Sequence, residues 1–502
     1  MKSTAYHFLF FAFILGAFYC PGQGLTLDPG TMMTIGNGGK VTIDHTGKIT
    51  IKSTASGSGS LVVDADINSN ISPAGGAVVE QYLSGSQWHL VSSPVSSDTS
   101  GGPYFGDYLY RWDESTTAWV NVVTPNFPLT TLEGFFADSY PSPATAVYTA
   151  SGVNALNNGS TGPYSLTRKD DNASSGYNLV GNPYPCSVNW MEASGWTRTN
   201  ISNEFWIYQD VDGTIEHGRY AYFNGAGSGD SLLGGRRFIA PTQGFWVNVI
   251  TGHTTGSLTV NNAARVHGNA SFLKKATSVT GNSLRITSLE NNLKDEMVVK
   301  FIKGASVNED EYDGHKLFGG SDLPQIYSDS PVNGPLCINA LPDVISNVTV
   351  SLSFKHGHNS SCMLLFDNVS SFSPQATILL EDLKLNCTQD LRKNSVYNFS
   401  YDIKDSPNRF LLHFNDPEAI QQLQDGDVQV YSYQDKVYVK SLNRINLNGE
   451  ITIYSMIGNE LFKSSLVTGT LNKFQPGLAR GYYLVKVVTD NSVCSRKIFL
   501  NR

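Results

Sequence analysis

Trp88-His89-Leu90-Val91-Ser92-Ser93-Pro94-Val95 and Tyr177-Asn178-Leu179-Val180-Gly181-Asn182-Pro183-Tyr184 are two copies of one block. An aromatic strand follows each, Tyr108-Leu109-Tyr110-Arg111-Trp112-Asp113 and Phe205-Trp206-Ile207-Tyr208-Gln209-Asp210. Each copy then closes on Leu132-Glu133-Gly134-Phe135-Phe136 or Thr242-Gln243-Gly244-Phe245-Trp246. Three matching blocks in the same order mark a tandem duplication, two similar β units packed as one domain over residues 76–265. The Pro of each first block ends a strand, because it brings no ladder donor. The Gly before each closing aromatic pair is expected to permit a bend or a positive φ.

Outward from this centre, almost everything is strand. Residues 24–75 alternate apolar residues with Thr in short pieces such as Val41-Thr42-Ile43 and Ile49-Thr50-Ile51, with a turn every few residues. Such spacing predicts a short parallel β-solenoid, with a plain meander as the alternative. Residues 278–415 carry longer alternating strands, among them Met297–Phe301, Val348–Phe354 and Phe410–Phe414, and predict an antiparallel β-sandwich. One helical fragment, Asp416–Leu423 with Pro417 at its first position, marks a linker. The expected fold class is therefore all-β and multidomain, ending in a small Ig-like β-sandwich at 427–502.

Composition bounds the function. Of 502 residues only 16% are charged, with 47 Gly and 11% aromatics, which excludes coiled coils and disordered acidic chains. A net charge of −8 argues against a nucleic-acid binder. Lys2 followed by the apolar run His7–Cys20 is too short to span a bilayer and reads as a signal peptide over 1–23, so the mature chain is expected outside the cytoplasm and not membrane-spanning. Five cysteines remain after it, with no CxxC pair, and no disulfide pairing follows from their spacing.

The C-terminal segment carries Ile451-Thr452-Ile453-Tyr454-Ser455-Met456-Ile457-Gly458, then Gly481-Tyr482-Tyr483-Leu484-Val485, then Ser495-Arg496-Lys497-Ile498 near the end. This order resembles the C-terminal sorting domain of the type IX secretion system of Bacteroidota, with Asn459 standing where that family usually has a basic residue. The resemblance implies that Gly458, Gly481, Tyr483 and Lys497 belong to a sorting signal. It further implies recognition by the type IX translocon, removal by a sortase-like peptidase, and release or surface anchoring of the body. Residues 278–415 and the duplicated block likewise resemble regions of large surface proteins from these bacteria.

Catalytic signatures are missing: the sequence has no HExxH, no G-x-S-x-G and no Walker A motif. No cofactor is implied. His356 and His358 could be half of a metal site, but with no third ligand in sequence a solvated turn is expected and no metal is assigned. Asp210-Val211-Asp212-Gly213 with Glu216 resembles part of a calcium loop and is read as a polar hairpin tip. Asp113-Glu114 and Glu309-Asp310-Glu311 are read as solvated loops. All seven Trp fall in the duplicated domain. There, Trp206 and Tyr208 share a strand face, and Trp246 shares one with polar Asn248. Trp206, Tyr208 and Trp246 are accordingly the candidate exposed platform for glycans or a partner surface, with core packing between two β layers as the alternative. The reading that follows is a secreted or surface adhesion or glycan-binding protein; a hydrolase with a hidden carboxylate pair and a structural matrix component are the alternatives.

Overall fold

The computed structural model describes residues 24–43, 46–64, 71–73, 75–139, 142–152, 155–226, 231–268, 282–308, 310–330, 334–343, 347–415, 428–441, 447–489 and 493–501. The expected signal peptide and the helical fragment at 416–423 lie outside them. Among the described residues the only helical pieces are four single 3₁₀ turns, and no helix is long and apolar enough to cross a membrane.

At the N-terminus the strand pairing is parallel, which selects the solenoid over the meander. Leu25–Leu27 lies on Ile49–Ile51, which lies on the start of Ala77–Leu83; Met32–Ile35 lies on Ser60–Val63, and Val41–Ile43 on Ile71–Pro73. Leu27, Ile51 and Val79 stack through these rungs and are buried, while the Thr residues between them point away. Each fully buried aliphatic contributes about 1.5–3 kcal/mol, and two turns alone would bury few of them. The third rung therefore continues into the next domain: Ala77–Leu83 also pairs antiparallel with Ala144–Ala150. The solenoid residues share a single core with Val91, Leu109, Phe135 and Tyr148.

Both copies of the duplication build the same sheet. In repeat one the strand order is Trp88–Val91, Phe135–Asp138, Tyr108–Asp113, Ala118–Asn121; in repeat two it is Tyr177–Gly181, Gly244–Asn248, Glu204–Gln209, Arg219–Asn224, with Ser231–Leu232 added at the edge. The outer pair Ala77–Leu83 and Ala144–Ala150 is matched by Thr161–Thr167 and Thr255–Val260.

The copies meet about a local two-fold axis, because each contact occurs twice with the partners exchanged. Val91 bridges Gln243 and Val180 bridges Glu133; Ser92 N donates to Thr242 O and Gly181 N to Leu132 O, both at 2.9 Å. Leu132 and Thr242, equivalent by sequence, both adopt positive φ, at 69° and 56°. This corrects the role expected for the glycines: the left-handed residues are Leu132 and Thr242, two positions earlier. Gly134 and Gly244 are needed for closeness instead. A Cβ on Gly134 would sit 2.5 Å from Val180 O, and one on Gly244 2.9 Å from Val91 N.

Residues 282–415 form one long hydrogen-bonded strand path that doubles over a large apolar core including Ile286, Leu352, Leu364 and Phe410. Its pairs are antiparallel except Leu293–Phe301 with Gly334–Leu341, which is parallel, a departure from the purely antiparallel sandwich expected. The C-terminal domain packs a three-stranded sheet on a four-stranded one around Val437, Ile451, Val485 and Val487, an Ig-like arrangement of seven strands. All five described cysteines are free, Cys387 exposed and the other four buried.

Candidate functional site

Each repeat sheet turns one face inward and carries aromatic rings on the other. In repeat one, Trp88 stands opposite Asp138, which stands opposite Tyr108; the next row is Leu90, Phe136 and Tyr110, and Trp112 pairs with Trp119. Period-two alternation puts all of these on one face. In repeat two the equivalent rows are Tyr177 with Asn248 and Leu179 with Trp246, continued by Trp206, Tyr208, Tyr220 and Tyr222.

The two faces have different fates. The sandwich covers that of repeat two: Trp206, Tyr222 and Trp246 join Val298, Cys337 and Ile338 in one buried cluster. Trp206 is 1% exposed and Trp246 4%, and Trp206 Nε1 donates to His315 O at 3.2 Å. Glu204 fixes the joint, accepting from Tyr222 Oη at 2.7 Å and from His315 N and Nδ1 at 2.9 and 2.7 Å. Burial alone would raise the Glu204 pKa, but the His315 contacts and the Tyr222 hydroxyl hold it below its ordinary value. Trp206, Tyr208 and Trp246 are therefore not an exposed platform. The first and last are buried, and Tyr208 is half-buried against Phe136 at 5.0 Å. Asn248, whose polarity suggested an outward face, is itself buried and donates to Ser175 O.

On repeat one the equivalent face is covered in part: Leu90, Phe136 and Asp138 are buried and Trp112 and Trp119 pack on Trp246, 5.2 and 5.6 Å away, but its outer rings reach solvent. Tyr108 is 57% and Trp119 37% exposed, with Trp88 and Tyr110 half-buried beside them. The rings support one another: Trp88 stacks on Phe136 at 4.6 Å, Trp119 stacks on Phe136 at 4.9 Å, and Trp88 lies 5.7 Å from Tyr110. Asp138 stands between Trp88 and Tyr108 with its Oδ1 buried and without a hydrogen bond. Burial, then the charges of Asp210 and Asp107, raise its pKa. The result is a cluster of tilted and stacked rings whose exposed parts, chiefly Tyr108 and Trp119, offer apolar surface for stacking on a ligand ring. The duplication pointed to this face as clearly as to the other.

The other acidic candidates serve the fold. Asp210 and Asp212 accept from the backbone of their own hairpin, Asp212 pairs with His217 at 2.9 Å, and Asp210 Oδ2 accepts from Trp88 N of repeat one at 2.8 Å, so the calcium-like stretch is a hairpin tip tied to the other repeat. Glu114 is not solvated as expected: it is buried and accepts from Thr167 Oγ1, Lys169 N and Gly176 N, tying repeat one to repeat two. Asp310 accepts from Ser306 N and Tyr312 N within its loop; Glu309 lies outside the described residues. A cleft of about 540 Å³ between the sandwich and the C-terminal domain is lined by Tyr327, Asp329, Asp435 and Arg480 among others. Its Asp329 already accepts from Ser353 Oγ. His356 and His358 do meet a third potential ligand, Glu290, which their sequence neighbourhood did not reveal.

Of the four residues placed in the sorting signal, Gly458 adopts φ 89° in an open turn and Gly481 opens the strand Gly481–Thr489. Tyr483 is buried in line with Val485 and Val487, its hydroxyl donating to Ala479 O at 2.8 Å. Lys497 Nζ lies 4.0 Å from the centre of the Tyr482 ring.

Fold and site together define a multidomain all-β protein with an internal two-fold repeat, one aromatic face of which is covered and the other partly exposed. The chain belongs to the DUF8693 family, a domain of unknown function, which it matches over residues 19–414. That match stops within the strand Phe410–Asn415, ahead of the C-terminal domain. No curated protein matches the sequence. Among solved structures the chain is similar to a "Biofilm associated protein - BSP domain" at 9% identity, covering 84% of this chain and 92% of that one, with a TM-score of 0.17. It is also similar to a β-glucuronidase from Ruminococcus gnavus in complex with uronic deoxynojirimycin, at 9% identity and TM-score 0.10, covering 83% of this chain and 46% of that enzyme. At these TM-scores neither likeness bears on function.

Proposed function

We propose that this chain is an exported, non-enzymatic surface or secreted protein that binds glycan through the partly exposed aromatic face of repeat one, with residues 427–502 acting as a type IX sorting domain. The observation that carries the binding reading is the broken symmetry. Two equivalent aromatic faces meet in one cluster; the sandwich covers the rings of repeat two, whereas that of repeat one leaves Tyr108 and part of Trp119 in solvent. Exposed aromatic clusters on folded proteins mark binding surfaces. Rings with few rotatable bonds lose little entropy on stacking against a sugar.

The sorting reading is supported by the ordered C-terminal motifs, by the separate core of that domain, and by the family match ending before it. A glycan array probed with the purified protein tests the first part: binding without release of reducing sugar is expected, and Tyr108→Ala together with Trp119→Ala removes it. Release of reducing sugar would replace binding by hydrolysis. Deleting residues 427–502 tests the second part. Retention of the truncated chain in the periplasm is expected, and normal export would end the sorting assignment.

A further inference from the structure

Glu290 ends the strand Asn282–Glu290, and His356 and His358 follow directly after the strand Val348–Lys355. The topology brings the two strand ends together, so that one carboxylate and two imidazoles converge with their ligand atoms within 4.8 Å of one another. His356 Nε2 is 3.4 Å from Glu290 Oε2, and His358 Nε2 is 3.2 Å from Glu290 Oε1.

The His356 side chain is wholly buried, yet neither of its ring nitrogens makes a hydrogen bond. Its one polar neighbour, Glu290 Oε2 at 3.4 Å, lies beyond a well-formed hydrogen bond, and a buried ring so weakly satisfied calls for an explanation, of which an ion is one. The ring is held by packing, 6.1 Å from Tyr401 in a stacked orientation and 4.2 Å from the His358 ring. Its orientation therefore needs no hydrogen bond and is set before any ligand arrives.

We propose that Glu290, His356 and His358 bind a divalent transition-metal cation of the zinc class. Two imidazoles and a carboxylate are the donor set such an ion takes. Arms of 2.0–2.1 Å in a tetrahedron separate ligand atoms by about 3.3 Å. The two imidazole-to-carboxylate separations, 3.4 Å to Oε2 and 3.2 Å to Oε1, are near that value, one to each oxygen, so the carboxylate lies between the two imidazoles within reach of a shared ion. With His358 bound through Nε2, its Nδ1 is turned toward the Asp322 carboxylate, 3.9 Å away, an electrostatic contact longer than a hydrogen bond. Gly357 keeps that carboxylate near: a Cβ there would sit 2.8 Å from Asp322 Oδ1 and 2.6 Å from Ser321 O. His358 is 47% exposed, which leaves an entry path from solvent. The ion would pin the loop bearing Asp322, whose backbone N donates to Glu216 O of repeat two, and so lock the sandwich onto the covered face.

The test is titration of chelator-treated full-length protein with Zn²⁺ by calorimetry, with Co²⁺ absorption as a geometric readout. One equivalent is expected to bind, with a tetrahedral Co²⁺ spectrum. His358→Ala and Glu290→Gln each weaken binding at least about tenfold, whereas His217→Ala leaves it unchanged. Melting curves of the metal-free variants, matching metal-free wild type, show that the loss is not unfolding. Failure of the wild type to bind, one-equivalent binding that survives both substitutions, or a preference for Ca²⁺ over Zn²⁺ would each overturn the assignment.

Discussion

Ser92 and Gly181 are the same position in the two repeats, and they touch each other across the local two-fold axis. A Cβ on Gly181 would lie 2.1 Å from Ser92 Cβ and 2.2 Å from Ser92 Oγ. Unbonded carbon atoms rest about 3.5–4.0 Å apart, so the axis has room for one side chain and not two. Gly181→Ser, which makes the repeats identical here, is therefore severe. The backbone cannot step aside easily, because Gly181 N is held by Leu132 O and the residue pairs with Gly244. Overpacking of this kind costs about 1–3 kcal/mol, and we expect the upper end.

Ser92→Gly alone is mild, since Ser92 Oγ has no hydrogen-bond partner to lose and the added chain freedom costs about 0.5–1 kcal/mol. The double swap moves the single side chain to the other side of the axis and should return to within about 1 kcal/mol of wild type, a coupling of about 2 kcal/mol. Urea denaturation followed by tryptophan fluorescence reads this domain selectively, because every Trp lies in it. A Gly181→Ser variant within about 0.5 kcal/mol of wild type, or a double variant no better than it, would refute the two-fold packing.

Trp206→Ala should destabilise the protein by about 3–5 kcal/mol, because it empties the covered face and forfeits the bond to His315, while Trp119→Ala, whose ring is partly exposed but packs on Phe136, Trp112 and Trp246, should cost less, about 1–2 kcal/mol, in the same denaturation assay. In the sandwich, Asp382 is wholly buried with Arg409 Nη2 at 2.7 Å and Tyr397 Oη at 2.8 Å. Burial raises its pKa, but these partners outweigh that and leave it below the ordinary value. A depressed carboxyl pKa contributes stability that is complete above the unfolded value, near 4, and is lost as pH falls through the folded one. Denaturation midpoints should thus drop below about pH 4 in wild type, and Asp382→Asn should flatten that drop while costing about 3 kcal/mol at pH 7, because Arg409 loses its main charge partner and keeps Asp405 at 3.3 Å and Ser400 O.

The repeats were legible because their aromatic, Pro and Gly blocks recur in order, and the solenoid because Thr alternates with apolar residues at period two. Strand faces were legible too: Trp206 and Tyr208 do share one. Which face meets solvent was not, since it depends on a sandwich that begins some eighty residues after Trp206. Asn248 misled for the same reason, being polar yet satisfied inside by Ser175. The glycines of the closing blocks were read locally, whereas their reason is a backbone from the other repeat. Glu290 lies 66 residues before His356, so no spacing could announce their meeting.

Hydroxyl-radical footprinting of the aromatic rings, with and without the glycan selected on the array, bears on the central reading most directly. Tyr108 and Trp119 should oxidise readily in the free protein and become protected when glycan is added, while Trp206 and Trp246 resist in both states. Oxidation of Trp206 and Trp246, or glycan that leaves Tyr108 and Trp119 as reactive as before, would contradict it.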